Sequence, residues 1–413
     1  MAEAPELHAH HEGRPLLAVF SATFFVRFAF GITVAVLASY ISGSSSSIGQ
    51  ATIGTVGIIA ALSPVGEFST VLFSGAAADR FGRFPVLFIG IGTAALIFVL
   101  IGLTRDAFLL ALANLGYGVA SGAILASSLA IVADFSDAGE RGFEMGRFDA
   151  MNLSGWIAGF AFGLGLQAVV GNHSLGVAFL IGAAILAGGL GFSAVLVRHQ
   201  RVPRGSRAYS FGSVASHIFR KSVLLVTLPW LAIYMLIGTV LVFFRPAASG
   251  AGIPAVELAA IIAVGGLLLV VTQPLFGRLS DRFGRMRLMT TGATGFVLVM
   301  TFASLIVAYG PALPLLVGVG ASVIAALMYG PAALAALTDL SLEVGRATTM
   351  AIYSLTISVG MFIGLLASSQ LYSHLGNLGL YIFFSCLAVA LAVLTIARIA
   401  ELRGPDRPTT PAR

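Results

Sequence analysis

Polar positions are so sparse along this chain that the breaks between apolar runs carry the pattern. Runs of about twenty apolar residues, the length a helix needs to cross roughly 30 Å of hydrocarbon, occur twelve times. They fall at 15–40, 51–78, 84–103, 107–133, 143–170, 174–197, 221–246, 254–277, 286–308, 312–338, 346–373 and 377–400, each bounded by Gly, Ser, Pro or charge. Inside lipid every backbone group must be paired within its own segment, so such runs predict membrane-spanning helices. The longest interior polar stretch divides them six and six. The expected organisation is an all-α integral membrane protein with a tail at 1–14, a six-helix bundle at 15–197 and a linker at 198–220. A second bundle at 221–400 and a Pro-rich tail at 401–413 complete it.

Composition fixes the solvent. Of 413 residues, 58% are hydrophobic and 10% charged, and the mean hydropathy is +0.99, whereas a soluble domain carries roughly 25% charged residues. The 49 glycines fit helices that approach closely in a bilayer. A net charge of +6 could suggest nucleic acid, but the arginines are dispersed between apolar segments and form no patch interleaved with aromatics. They sort by membrane face instead. One face holds Arg14, Arg80, Arg83, Arg141, Arg147, the group from Arg198 to Lys221, Arg278, Arg282, Arg285, Arg287, Arg346 and the arginines from Arg398 onward; the other holds only Arg105 and Arg245. Cytoplasmic loops retain positive charge, so both termini are expected in the cytoplasm of a plasma-membrane protein, as an even number of spans requires.

Several function classes drop out. Residues 1–15 contain Glu3, Glu6 and Glu12 and no basic region, so they do not read as a cleavable signal peptide. The single cysteine, Cys386, lies in an apolar run and offers neither a disulfide nor a Cys-based metal site. His8, His10 and His11 form a short tract in a tail, to which no metal role is assigned, and no cofactor is expected. No His-Glu-x-x-His, Gly-x-Ser-x-Gly or phosphate-binding Gly-Lys-Ser/Thr element appears, so an enzyme is not expected.

The two halves repeat. The segment from Gly75 to Arg83, containing Asp79, Arg80 and Gly82, recurs 202 residues later from Gly277 to Arg285, containing Asp281, Arg282 and Gly284. A second echo, shifted by 205 residues, pairs Asp134, Arg141, Gly155 and Gly159 with Asp339, Arg346, Gly360 and Gly364. Both copies keep the same orientation to the membrane, and such parallel halves are a transporter architecture. Gly-x-x-x-Asp-Arg-Phe-Gly-Arg between spans two and three, repeated between eight and nine, resembles the signature loop of the major facilitator superfamily over essentially the whole chain. The resemblance implies two six-helix bundles that rock about a central site. It also implies that Asp79 faces the N-terminus of span eleven near Gly345 and Arg346, and that Arg83 pairs with Asp134 to close the cytoplasmic side.

Three ionisable residues lie within the spans, where an unpaired charge costs several kcal/mol. Counted at 1.5 Å per residue from the cytoplasmic face, Arg27 and Glu67 both sit about 16–18 Å deep, and Asp149 about 12 Å deep with Asn152 a turn beyond. The repeat aligns Asp149 with Ser354, Asn152 with Ile357 and Glu67 with Leu269, which leaves the ionic groups in the first half. Glu67 and Asp149 are candidate proton carriers, because a carboxyl in an apolar cavity has its charged form disfavoured. Arg27 is a candidate contact for an anionic solute group. Two plainer arrangements stay open: an Arg27–Glu67 pair that braces spans one and two, and Asp149 paired with Arg147 or Arg141. Tyr117, Trp156, Trp230, Tyr234, Gln273 and Tyr329 are further cavity candidates, and the Gly155-xxx-Gly159-xxx-Gly163 stripe reads as a packing surface.

The chain departs from the proton-coupled drug exporters of the superfamily, which carry an Arg four residues before a span-four Gly. Here Asn114 precedes Gly118, and no proline lies between Trp156 and Gly163. The expected function is transport of a small organic solute, anionic or amphiphilic, coupled to protons, with export favoured by the resemblance. An uncoupled facilitator, a proton symporter for uptake and a transport-inactive sensor are the alternatives. The expected working unit is a monomer.

Overall fold

A hydrophobic run marks only the part of a helix that lies in lipid, because the hydrogen-bond ladder continues into water after the apolar residues stop. The computed structural model of the chain describes residues 6–43, 53–104, 106–136, 140–171, 175–198, 220–250, 255–340 and 346–403. Every predicted span is helical, and many of the helices run past the predicted limits. They are α1 (Glu6–Gly43), α2 (Ile53–Phe81), α3 (Arg83–Leu103), α4 (Ala107–Asp134), α5 (Arg141–Val170) and α6 (Gly176–Val197) in the first half. The second half has α7 (Lys221–Gly250), α8 (Ala255–Phe283), α9 (Arg285–Tyr309), α10 (Leu313–Ala326), α11 (Tyr329–Asp339), α12 (Arg346–Leu375) and α13 (Asn377–Arg403). Among the described residues, eleven segments are long and apolar enough to cross a membrane. The helix α8 completes the twelve spans, with part of its side chains outside the described residues.

Two boundaries differ from expectation. The first helix begins upstream of position 15 and runs through Pro15. The tenth span, expected as one helix over 312–338, is two helices with Leu327 and Met328 between them. Pro331 has no N–H to give to the Leu327 carbonyl four residues back, and the chain tightens into a turn in which Met328 N–H donates to Ala325 O at 3.1 Å.

Packing inside lipid is set by shape, and α3 illustrates how. Leu87, Ile91, Ala94, Phe98 and Ile101 lie on one face and are buried, whereas Ile89, Leu96 and Leu103, spaced seven apart, are exposed to what is lipid in a membrane. Small residues let helices meet backbone to backbone. A Cβ on Gly155 would stand 2.3 Å from Phe24 O, and one on Gly159 would stand 1.9 Å from Phe28 O, so this stripe seats α5 on α1. The repeat holds in three dimensions: a Cβ on Gly360 would stand 2.6 Å from Leu231 O and one on Gly364 would stand 2.2 Å from Met235 O, so these glycines seat α12 on α7. Gly159→Ala must therefore push backbone against backbone. Overpacking of this kind costs about 1–3 kcal/mol, so the purified variant should melt measurably below wild type; an unchanged melting temperature would contradict the packing.

Candidate functional site

Both Asp-Arg-Phe-Gly-Arg turns have the same construction. Gly82 and Gly284, at φ 101° and 92°, occupy the left-handed region that glycine tolerates and separate α2 from α3 and α8 from α9. In the first copy the buried Arg83 pairs with Asp134, donates to Ala130 O at 3.1 Å and lies 3.6 Å from Asp79. In the second, Arg285 pairs with Asp339, donates to Ala335 O at 2.6 Å and lies 3.8 Å from Asp281. Gly75 and Gly277 are buried one turn before the aspartates. Arg80 and Arg282 are exposed, each guanidinium over its neighbouring ring, Phe81 at 5.3 Å and Phe283 at 5.5 Å.

The second copy also reaches across the bundles. Phe143 N–H, in the first turn of α5, donates to the Asp281 carboxylate at 3.2 Å. A carboxylate there meets unpaired backbone donors and the positive end of the helix dipole. Arg278 covers the Phe143 ring at 4.2 Å, and Gly146 packs so closely on α8 that a Cβ there would stand 2.6 Å from Gln273 O. The arginine-rich end is thus closed between α5 and α8. Gly345 and the side chain of Arg346, expected in the matching contact of Asp79, lie outside the described residues, as does the side chain of Arg141.

At mid-depth a cavity of about 910 Å³, counted with space continuous with the outside, lies between α1, α2, α4, α7 and α12. Arg27, Glu67, Asn114, Tyr117 and Ser121 line it, and it extends away from the arginine-rich end past Leu37, Val56 and Leu365. Glu67 is buried, and its two oxygens are shared between the halves: Ser121 on α4 donates to Oε2 at 2.9 Å, and Ser354 on α12 donates to Oε1 at 2.8 Å. The alternative of an Arg27–Glu67 brace is not formed among the described residues, and the Glu67 carboxylate accepts the two serine hydroxyls instead. Arg27 makes no hydrogen bond or ion pair among the described residues. Its guanidinium lies 5.6 Å from the Phe30 ring, which in turn stacks on Tyr117. A smaller void beside Arg27 is lined by Thr23, Ser121 and Ser128; the Thr23 and Ser128 hydroxyls are buried without partners among the described residues.

Asp149 belongs to a second pocket, of about 530 Å³, between α5 and the second half. The alternative that pairs it with Arg147 does not hold, because Arg147 bonds Glu144 at 2.9 Å and lies over the Phe20 ring. Asn152, Trp230, Tyr234, Gln273 and Tyr329 line the same pocket, as does Tyr353. Trp156 lines none of these cavities, and its indole N–H is buried without a partner. Sequence reasoning missed Ser121, Ser354 and Tyr353 as site residues. Ser354 carried a signal, since it is the repeat partner of Asp149, but a lone serine in an apolar span has no distinguishing pattern.

Twelve spans in two duplicated bundles around a mid-membrane cavity that holds Arg27 and Glu67 define a membrane carrier. Residues 19–328 and 250–413 match the family model described as Major Facilitator Superfamily. The chain belongs to that family of transporters. Its fold also matches the crystal structure of the human organic anion transporter MFSD10 (TETRAN), with a TM-score of 0.67 and 17% sequence identity, covering 95% of this chain and 100% of that one.

Proposed function

We propose that the protein is a proton-coupled secondary transporter that moves a small organic solute bearing an anionic group by alternating access, with export favoured by the family resemblance. The observation that carries this reading is the cavity that holds Arg27 without a counter-ion and Glu67 bonded to both bundles. A guanidinium in an apolar cavity calls for a negative partner, and a solute carboxylate meets it with two parallel hydrogen bonds. The unpartnered hydroxyls of Thr23 and Ser128 add donors on the same side. The human structural relative, titled an organic anion transporter, fits the same solute class.

Glu67 and Asp149 carry the proton in this scheme. Protonating Glu67 turns an acceptor of two hydroxyls into a group that must itself donate, so proton binding alters a contact between bundles. The two Asp-Arg-Phe-Gly-Arg turns, with Asp281 bonded to the start of α5, form the gate at the arginine-rich end, and the excess of arginines there supports a cytoplasmic placement. Each chain encloses its own cavity and works as a monomer. The test is exchange of a labelled aryl carboxylate, and of its neutral carboxamide, in proteoliposomes. Arg27→Gln should weaken apparent affinity for the carboxylate at least about tenfold, the loss of one charge-assisted contact of roughly 1.4 kcal/mol, and leave the amide little changed. Equal effects on both solutes would overturn the anion assignment.

A further inference from the structure

The second pocket has chemistry of its own. Asp149 is buried to 7% exposure and has neither a hydrogen bond nor an ion pair among the described residues. Asn152 Oδ1 is buried without a donor. A methyl placed on Gly330 would lie 3.0 Å from Asp149 Oδ2 and 3.9 Å from Gln273 Oε1, so both acceptors converge on one spot against the break between α10 and α11. The Leu327 carbonyl, deprived of its helical donor by Pro331, belongs to the residue at that break. Discontinuous helices at mid-membrane are where carriers expose backbone groups to ligands.

Around these acceptors stand aromatic rings whose hydroxyls are largely committed. Tyr329 OH donates to Val226 O at 2.8 Å, and the Tyr234 and Tyr353 hydroxyls lie 3.3 Å apart. Trp230 packs between Tyr329 and Tyr353, with ring centroids 5.7 and 4.2 Å away. Carboxylate and amide oxygens beside buried aromatic rings that line the same pocket attract a cation by charge and by the ring quadrupole.

We infer that the pocket of Asp149, Asn152, Gln273, Trp230 and Tyr353 is a subsite for an organic ammonium group, separate from the anion contact at Arg27. It depends on the transporter reading only for ligand access. A solute carrying both an anionic and an ammonium group would span the two subsites.

Binding can be measured without any gradient, so its outcome is independent of proton coupling. Purified protein is titrated with benzylammonium, benzyl alcohol and benzoate while tryptophan fluorescence is followed, with Trp230→Phe locating the signal. Benzylammonium should give a saturable change at concentrations at least about tenfold below benzyl alcohol. Asp149→Asn should weaken it by a similar factor, and Gly330→Ala, which sets a methyl between the acceptors, should do the same even if Asp149→Asn fails to fold. Alcohol binding as tightly as the ammonium, or folded variants with unchanged affinity, would overturn the assignment.

Discussion

Asp134→Ala is expected to destabilise the protein by about 3–5 kcal/mol, the cost of leaving a buried charge without its partner. Arg83 is 5% exposed, so its guanidinium cannot turn to water when the carboxylate is gone. Neither the bond to Ala130 O at 3.1 Å nor the longer approach to Asp79 at 3.6 Å matches the close charge pair with Asp134. The second copy predicts a different magnitude from the same chemistry. The Asp339 side chain is 47% exposed, so Asp339→Ala should cost no more than about 1 kcal/mol, as for surface pairs. The pair Arg83→Met with Asp134→Leu should recover much of the loss, since well-packed apolar replacements of buried pairs are often neutral. Melting of the purified variants in one detergent checks all three. Equal costs for the two aspartates would mean that burial does not govern these turns.

Glu67→Gln should abolish accumulation driven by a proton gradient while solute exchange persists. The amide keeps the volume of the carboxyl and can accept one hydroxyl while donating to the other, so the link from Ser121 to Ser354 survives in altered form. It cannot take up or release a proton. The loss should therefore be complete for coupled uptake, falling to the level of empty liposomes, and at most several-fold for exchange. Ser354→Ala removes only the bond from the second half and should give an intermediate defect. Counterflow and gradient-driven uptake, measured in the same proteoliposomes, separate the two effects. Full coupled accumulation by Glu67→Gln would remove Glu67 from the proton path.

The spans and the duplication were legible because the bilayer imposes a length and a repeat imposes a register. Position 82 and its partner 284 both adopt positive φ, and Arg83 and Arg285 repeat their carbonyl bonds 205 residues apart, to Ala130 and Ala335. Helix faces were not legible. Along α3 both the buried and the lipid-facing stripes are apolar, so hydropathy carries no phase. The depth of Arg27, Glu67 and Asp149 could be counted from the loops, which placed the first two in one cavity. The partners of Glu67, Ser121 and Ser354, could not be found that way, because a serine leaves no mark in an apolar run. The break at Leu327 was written in Pro331, whose missing N–H a continuous tenth span ignored. The bond from Phe143 to Asp281 was not singled out by the sequence, because the second copy of the motif carries no mark of which backbone donor it will meet, whereas the contact expected of Asp79 falls against residues outside the described ones.

The central claim is that one buried cavity couples a proton to an organic anion. The most direct measurement is internal pH in proteoliposomes containing the wild-type protein and a trapped pH dye, with aryl carboxylates or their neutral isosteres added outside at equal pH. Coupled transport predicts a saturable pH change on adding a carboxylate that exceeds the change in protein-free liposomes and is absent with the neutral solute. Labelled carboxylate that equilibrates across the membrane with no proton movement beyond the protein-free control would contradict it.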